Sequence, residues 1–376
     1  MFFISIFTFY TTPMLFDPFN VRSLQLKNRI VMAPMARCRA VDSNTPNSLM
    51  AEYYGQRASA GMIITEGTSP SPNGLGYARM PGLFNKAQQN GWRHVTETVH
   101  AQGGRIILQL MHAGRVAHLA NLPTGAEVLG PMDQVCPGEM YTDLMGMQPH
   151  SPARAMTEAD IETTVGEFAQ AARMAVDAGF DGVEIHAANG YLIEQFLNAN
   201  VNKRTDGYGS GISGRNRFAL EVVRETVMAI GARRVGIRLS PHGALNDMGS
   251  FSGLDDQFIA LMRELSRWGL MYVHVLDHSA LLGGSPVPDK LKRALRNSFQ
   301  GPLILAGGFD QAGAQRALTE DRADLIAFAR PFLANPDLVE RMKANAPLNV
   351  PDMNTFYTPG AEGYTDYPTL DAQRGL

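Results

Sequence analysis

Three hydrogen-bonding side chains, His186, Asn189 and Tyr191, lie close together in the segment "GVEIHAANGYLIEQFLN" (182–198). A strand-like start precedes them, and apolar residues at helical spacing follow. An imidazole and an amide can donate to one oxygen and stabilise negative charge that develops there. A phenol, with an ordinary pKa of about 10, can deliver a proton to a carbanion-like carbon. A buried histidine followed by an Asn-Gly turn is the structural alternative, and the pattern alone leaves both open.

The elements that must position these residues alternate along the chain as apolar strand-like runs and amphipathic helices. The runs cover 29–35, 62–68, 105–112, 182–187, 234–241, 271–277, 302–308 and 324–330. Continuous apolar strands separated by helices predict a parallel α/β fold, the (β/α)8 TIM barrel. A chain of 376 residues suffices for one such domain.

Two segments differ from this alternation. Residues 113–156 follow the third strand and are rich in Gly, Pro and Met, so they predict a cap or lid over the barrel face that carries active sites. Residues 1–13 are apolar and aromatic but lack the basic region and cleavage site of a signal peptide. We expect them to be a disordered extension preceding a single domain at 14–376.

Several polar or glycine residues fall at the carboxyl ends of the predicted strands. Gly307 and Gly308 follow the seventh strand and Arg330 the eighth, which is where barrels place a phosphate site. A tight turn and a surface arginine would explain the same residues. Gln109 lies inside an apolar strand and Arg238 ends another, so each must pair with a structural partner or face a ligand.

The composition disfavours several classes of function. The net charge is −3, which gives no electrostatic footprint for nucleic acid. Cys38 and Cys136 lack paired spacing, so we expect no metal or iron–sulfur ligation, no disulfide framework and a cytoplasmic location. No apolar run is long enough for a membrane span. A glycosidase would need a second carboxylate at a strand end, and the seventh strand offers none.

Long motifs then identify a family. They are "LKNRIVMAPMAR", "YYGQRASAGMIITEGT", "GGRIILQLMHAGR", "GVEIHAANGYLIEQFLNANVNKRTDGYG", "ANPDL" and "TFYTPGAEGYTDYP". From about Met14 to the C-terminus the chain resembles the Old Yellow Enzyme family of FMN-dependent ene-reductases. Its branch of pentaerythritol tetranitrate, N-ethylmaleimide and morphinone reductases is the most similar.

The resemblance implies a non-covalent FMN and assigns residues to each part of it. Contacts with the flavin ring would come from Pro34, Met35, Ala36, Gly67 and His186. Gln109 would bind the pyrimidine edge of the ring, and Arg238 would lie near its N1 and O2 atoms. The FMN phosphate would be held by Gly307, Gly308, Ala329 and Arg330. NADPH or NADH would be the electron donor. Iron–sulfur relatives are disfavoured by the scarcity of cysteine.

The resemblance also implies a reaction. Hydride would pass from the nicotinamide to flavin N5 and then to the β-carbon of an enone, enal or maleimide. His186 and Asn189 would bind the substrate oxygen, Tyr191 would protonate the α-carbon, and Met111 and Tyr357 would line the substrate pocket. Nitrate esters and nitroaromatics are further candidates. Monomer and homodimer remain open, as does a flavin-binding protein without turnover.

Three positions depart from the family pattern. Ala36 stands where threonine or cysteine is usual, Met111 where tryptophan is common, and Ala329 where glycine is usual. Alanine cannot hydrogen-bond the flavin O4, so we expect a lower flavin potential and slower reduction. Met111 would leave a larger or more adaptable pocket. The methyl group of Ala329 would crowd the phosphate.

Replacing Ala36→Thr should therefore accelerate flavin reduction. A gained hydrogen bond is worth about 0.5–1.5 kcal/mol, which corresponds to a rate increase of up to about tenfold. The measurement is the rate of flavin bleaching by NADPH under anaerobic conditions. An unchanged rate would show that position 36 does not tune the flavin.

Overall fold

The computed structural model describes residues 12–279 and 286–375. Its centre is a closed barrel of eight parallel strands. In chain order these are β1 (Ile30–Met32), β2 (Met62–Ile64), β3 (Ile106–Leu110), β4 (Gly182–Ala187), β5 (Val235–Leu239), β6 (Tyr272–Leu276), β7 (Leu303–Ala306) and β8 (Leu325–Phe328). Each strand pairs with its neighbours in sequence, and β8 pairs with β1. The predicted eight-stranded α/β barrel is confirmed.

Helices follow the strands around the outside of the barrel. They are α1 (Ser48–Gln56), α2 (Lys86–Ala101), α3 (Glu158–Asp177), α4 (Leu192–Leu197), α5 (Gly211–Ile230), α6 (Leu254–Arg267), α7 (Asp289–Ser298), α8 (Gln311–Thr319), α9 (Arg330–Ala334), α10 (Leu338–Lys343) and α11 (Leu370–Arg374). The strands are buried throughout because one face meets the helices and the other fills the barrel. Polar side chains inside β3 to β6 are therefore exceptions that require partners.

Helix α3 begins with a capping box formed by Thr157 and Asp160. The hydroxyl of Thr157 accepts from the Asp160 N–H at 3.1 Å, and the Asp160 carboxylate accepts from the Thr157 N–H at 2.7 Å. This reciprocal pair satisfies two groups that have no partner within the helix. Ile161, Phe168 and Ala172 recur at helical spacing and are buried, so the same helix presents one face to the core.

A short hairpin closes the amino end of the barrel and was not predicted. It pairs Phe19–Val21 with Leu24–Leu26 in antiparallel register. Val21 and Leu26 are fully buried and join Val31, Met62 and Ile304 in one apolar cluster. Strands of three residues carry too little alternation to be recognised in a sequence.

The segment 113–156 has its own secondary structure over the carboxyl end of β3. A hairpin pairs Glu139–Thr142 with Gly146–Pro149, and a parallel pair joins Leu129–Gly130 to Arg154–Ala155. Cys136 and Met140 are buried against the rings of Tyr77 and Tyr191. The segment therefore covers the region just beyond β4.

The predicted extension at 1–13 falls mostly outside the described residues, which begin at Thr12. The Pro13 carbonyl accepts from the side-chain amide of Gln315 at 2.9 Å, so this residue is attached to α8. Within 12–279 and 286–375, no helix combines the length and apolar character needed to cross a bilayer.

Replacing Thr157→Ala should destabilise the fold by about 1 kcal/mol, because the Asp160 N–H loses its side-chain acceptor. Thermal unfolding of the FMN-loaded protein should shift down by at most about 2–4 °C. Thr163→Ala, on the exposed face of the same helix, is the matched control and should have little effect. Equal shifts in the two variants would contradict the cap's contribution.

Candidate active site

The end of β4 and the tight turn that follows it carry the three hydrogen-bonding side chains found in the sequence: His186 lies in the strand, and Asn189 and Tyr191 lie beyond it. Asn189 and Gly190 both adopt left-handed backbone angles, with φ of 61° and 75°. The Asn189 N–H donates to the Ser240 hydroxyl at 2.9 Å, and the Gly190 N–H donates to the Glu194 carboxylate at 2.6 Å. The Asn246 amide donates to the Asn189 carbonyl at 2.7 Å. Side chains thus satisfy the turn's backbone groups and fix its position.

The turn brings the predicted imidazole, amide and phenol together. The Asn189 Nδ2 lies 3.4 Å from the His186 Nε2. The rings of His186 and Tyr191 are 5.2 Å apart between centroids. The Tyr191 hydroxyl is 2.9 Å from the hydroxyl of Tyr77, a residue that the sequence did not single out. Two potential donors and a phenol therefore lie within reach of one small ligand.

The electrostatics of the site favour neutral forms of both titratable groups. Burial lowers the pKa of His186 well below its usual value, and the positive charge of Arg238 lowers it further. Burial raises the pKa of Tyr191 to about 12, while the hydrogen bond with Tyr77 works in the opposite direction. The imidazole is therefore uncharged and the phenol keeps its proton at neutral pH.

A buried carboxylate lies below the turn, inside the barrel. Glu184 accepts from the Gln109 amide at 2.8 Å and contacts the His274 Nδ1 at 2.9 Å. Gln109 is its register partner on β3, while His186, Arg238 and His274 are register partners across β4, β5 and β6. Burial alone would raise the pKa of Glu184, but His274 and Arg238 hold it below its usual value.

The same layer has hydrogen-bonding groups that no described residue satisfies. The Arg238 Nε and the His186 Nδ1 are buried without a partner among the residues the structure describes. Gln109 uses its amide nitrogen on Glu184, which orients its oxygen away from that carboxylate. Arginine donors suit the acceptor-rich edge of a flavin, and an amide oxygen suits the adjacent imide N–H.

The residues that follow β7 and β8 are suited to hold the phosphate group of FMN. Gly307 and Gly308 have φ of 140° and 72°, and a Cβ at Gly307 would come within 2.7 Å of the Asp277 carbonyl. Bare backbone is therefore required there. Ala329 and the exposed Arg330 open α9 on the neighbouring strand, since β7 pairs with β8. Together with the unsatisfied groups of the barrel interior, these residues fit FMN.

The remaining predicted cofactor residues follow β1 and β2. Pro34 is buried, Met35 is half-buried and Ala36 is exposed, so the surface at this strand end is accessible. A Cβ at Gly67 would come within 2.6 Å of the Met111 sulfur, so the missing side chain makes room for Met111. Met111 in turn packs with Tyr191 in one apolar cluster.

Tyr357 lies at the rim of this region and is 60% exposed. Its carbonyl accepts from the Arg79 guanidinium at 2.9 Å. Arg37 and Arg39 donate to carbonyls of the same carboxyl-terminal segment, including Phe356 and Gly363. Hydrogen bonds from arginine side chains that follow β1 and β2 to its backbone carbonyls thus hold this segment beside the site.

Side chains in and around the site that the sequence analysis did not single out include Glu184, His274, Tyr77 and His278. Glu184 and His274 could have been recognised, because they occupy inward-facing positions on β4 and β6. Tyr77 and His278 lie in loops, where no periodicity shows which way a side chain points. The two loop residues therefore needed the folded chain to be found.

Comparison with known proteins decides the family. The sequence profile of the NADH:flavin oxidoreductase / NADH oxidase family matches residues 14–349. The chain belongs to this family. It is similar in structure to morphinone reductase, with a TM-score of 0.93 and 44% identity over 97% of this chain and 99% of that one. It is also similar to the Old Yellow Enzyme homologue from Zymomonas mobilis, with a TM-score of 0.91 and 39% identity over 95% of this chain and all of that one.

A similar protein indicates which flavin the family member binds. The probable flavin mononucleotide-dependent alkene reductase of Leishmania infantum is 40% identical over 94% of this chain and 96% of its own length. The resemblance to the Old Yellow Enzyme family is confirmed, and so is the expectation of FMN as cofactor and a nicotinamide as electron donor. This member of the NADH:flavin oxidoreductase family is an FMN-dependent oxidoreductase with a nicotinamide electron donor.

The carboxyl group of Glu194 should make stability depend on pH. Burial raises its pKa to about 8, although the Gly190 N–H and the Ser240 hydroxyl donate to it. An unfolded glutamate has a pKa of about 4.3, so unfolding releases a proton between these values. The stability from this group is full below about pH 4 and falls as the pH rises to about 8, by up to roughly 1.4 kcal/mol per pH unit.

Replacing Glu194→Gln imitates the protonated group and should remove this dependence. The variant's free energy of unfolding minus that of the parent should therefore increase from pH 5 to pH 8, measured by denaturant titration with excess FMN. Glu162→Gln, at an exposed site on α3, is the control. Parallel pH profiles for the parent and Glu194→Gln would contradict the assignment.

Proposed function

We propose that the protein reduces the C=C bond of activated alkenes such as enones, enals and maleimides. In this proposal His186 and Asn189 bind the substrate oxygen, and Tyr191 protonates the α-carbon. The observation that supports it is the 3.4 Å pairing of His186 Nε2 and Asn189 Nδ2, with the Tyr191 phenol on the same turn. The alkene reductase from Leishmania infantum supports the same class of substrate.

The donor pair would polarise the substrate. A neutral His186 has one N–H, and the Nε2–H tautomer directs it beside the Asn189 amide, so both can donate to one oxygen. Negative charge grows on that oxygen as the β-carbon accepts hydride. Fixed donors in a water-poor site stabilise this charge more than they stabilise the substrate.

Tyr191 would supply the proton. With a pKa of about 12, its hydroxyl is fully protonated at neutral pH and gives up the proton only to a strongly basic carbon. Tyr77, at 2.9 Å, can then donate to the phenolate that remains. Both tyrosines are half-buried, and burial raises the pKa of each phenol, so both hydroxyls are protonated when the enzyme binds substrate.

The barrel interior would hold the cofactor and set its charge. FMN, when bound, supplies the hydride that it has received from NADPH or NADH. Arg238, with Glu184 as its neighbouring counter-charge, would place a permanent positive charge beside the ring. Gln109 would bind the ring edge, and Gly307, Gly308 and Arg330 would hold the phosphate.

The proposal also covers further substrates, the cellular location and the oligomeric state. A nitro or nitrate oxygen would meet the same donors, so nitroaromatics and nitrate esters form a second substrate class. Cys38 and Cys136 are free and buried, which suits a reducing cytoplasm. We propose a monomer or homodimer acting on small molecules.

Anaerobic half-reactions test the proposal. The double variant His186→Ala with Asn189→Ala should reduce kcat/KM for 2-cyclohexenone by at least about a hundredfold, since one such donor contributes about 10²–10³. Tyr191→Phe should slow reoxidation by an enone by about 10²-fold or more and leave enone binding nearly unchanged. Tyr141→Phe, on the half-exposed cap hairpin, is the control and should have no effect.

Two outcomes would overturn the proposal. Unchanged enone turnover in the double variant would remove the donor pair from the mechanism. A parent enzyme whose FMN is bleached by NADPH, but is not reoxidised by any alkene or nitro compound, would favour the flavin-binding protein without turnover.

A further inference from the structure

The Asn189 amide has a hydrogen-bond partner outside its own turn. His278 follows the end of β6 and is 89 residues away along the chain, yet its Nε2 lies 2.8 Å from the Asn189 Oδ1. The His278 side chain is buried, with 3% of the residue exposed. The contact therefore joins the carboxyl ends of two different barrel strands at the proposed substrate-binding residue.

This contact determines which end of the amide faces His186. The oxygen and nitrogen of an asparagine amide are nearly equal in size but opposite in hydrogen-bonding character. The backbone of Asn189 is already held by Ser240 and Asn246, so rotation of the amide is the main freedom that remains. With Oδ1 directed to His278, Nδ2 is directed to His186 Nε2.

The direction of donation follows from the chemistry of the two groups. An amide oxygen only accepts, so His278 must donate through an Nε2–H. Burial lowers the pKa of His278 to about 4, with the charge of Arg238 acting in the same direction, so the ring is neutral and has a single N–H. Its Nδ1 has no partner among the described residues and lies against Gly243, where a Cβ would be 3.1 Å away.

We infer that His278 is a positioning residue that sets the polarity of the substrate-binding pair. By donating to the Asn189 oxygen, it keeps the amide N–H groups turned toward the ligand beside His186. The pair then selects ligands that present an acceptor oxygen. This inference rests on the proposed function of His186 and Asn189, since it concerns how one of those donors is oriented.

Without His278, the amide would lose its orientation. A flipped Asn189 would place a carbonyl oxygen against a ligand oxygen, where two acceptors repel each other. The unflipped amide would leave a buried oxygen without a partner, which is also unfavourable. Either way, acceptor ligands should bind more weakly, while FMN, which is held by other residues, should bind as before.

Binding of a phenolate to the oxidised, FMN-loaded enzyme tests this inference. The probe is 4-nitrophenol in mildly alkaline buffer, where it carries an anionic acceptor oxygen, and the readout is the change in the visible spectrum. His278→Phe keeps a planar ring without the N–H, and we expect its dissociation constant to rise about tenfold. His278→Gln keeps a donor and should stay within about threefold of the parent. His94→Phe, at an exposed site on α2, is the matched control.

A double-mutant cycle separates orientation from packing. In an Asn189→Ala background there is no amide to orient, so His278→Phe should have little further effect on phenolate binding. The KM for 2-cyclohexenone should rise in parallel with the dissociation constant. If His278→Phe fails to bind FMN, His278→Leu replaces it in the same cycle.

The outcomes distinguish this inference from the proposed function. If Asn189→Ala binds 4-nitrophenol as the parent does, the donor pair itself is wrong. If Asn189→Ala weakens binding but His278→Phe does not, the donor pair stands and the inference is overturned. The inference would also be overturned if His278→Phe and His278→Gln weakened 4-nitrophenol binding equally and their effects added to that of Asn189→Ala. Such a result would indicate that His278 contributes through packing alone.

Discussion

A charged layer inside the barrel is the constraint on which the site depends. Glu184 is fully buried, and a buried carboxylate without partners would be strongly unfavourable. Gln109 and His274 contact its two oxygens, and the charge of Arg238 balances it. This layer permits a permanent cation, Arg238, in the barrel interior beside the proposed flavin site. It also fixes which end of the Gln109 amide is free for a ligand.

Above that layer, the turn that we propose binds the substrate relies on groups from α4 and from the ends of β5 and β6. Ser240 follows β5 and holds the Asn189 N–H, while Glu194 on α4 holds both Ser240 and the Gly190 N–H. His278 follows β6 and holds the Asn189 side chain. Ser240 and His278 come from other strand ends, so the geometry of the turn depends on how β4, β5 and β6 are arranged in the barrel. The Asn-Gly sequence favours two left-handed residues locally, and the contacts with Ser240 and His278 orient them within the site.

The fold could be predicted because its signal is local and repeated. Each barrel strand is a short, mainly apolar run, and each long helix has apolar residues at helical spacing. The capping pair of Thr157 and Asp160 could also be recognised, since its two members are three residues apart. The amino-terminal hairpin and the strands within 113–156 could not. They are two to four residues long and are stabilised by packing against the barrel.

The sequence by itself determined the family, the order of strands and helices, and the types of side chain at each strand end. His186, Asn189 and Tyr191 could be selected because five residues of chain join them and the strand before them is apolar. Only the tertiary structure decided what those side chains touch. Tyr77 reaches Tyr191 across 114 residues of chain, and His278 reaches Asn189 across 89. Both come from loops, whose direction depends on barrel closure and packing rather than on any periodicity in the sequence.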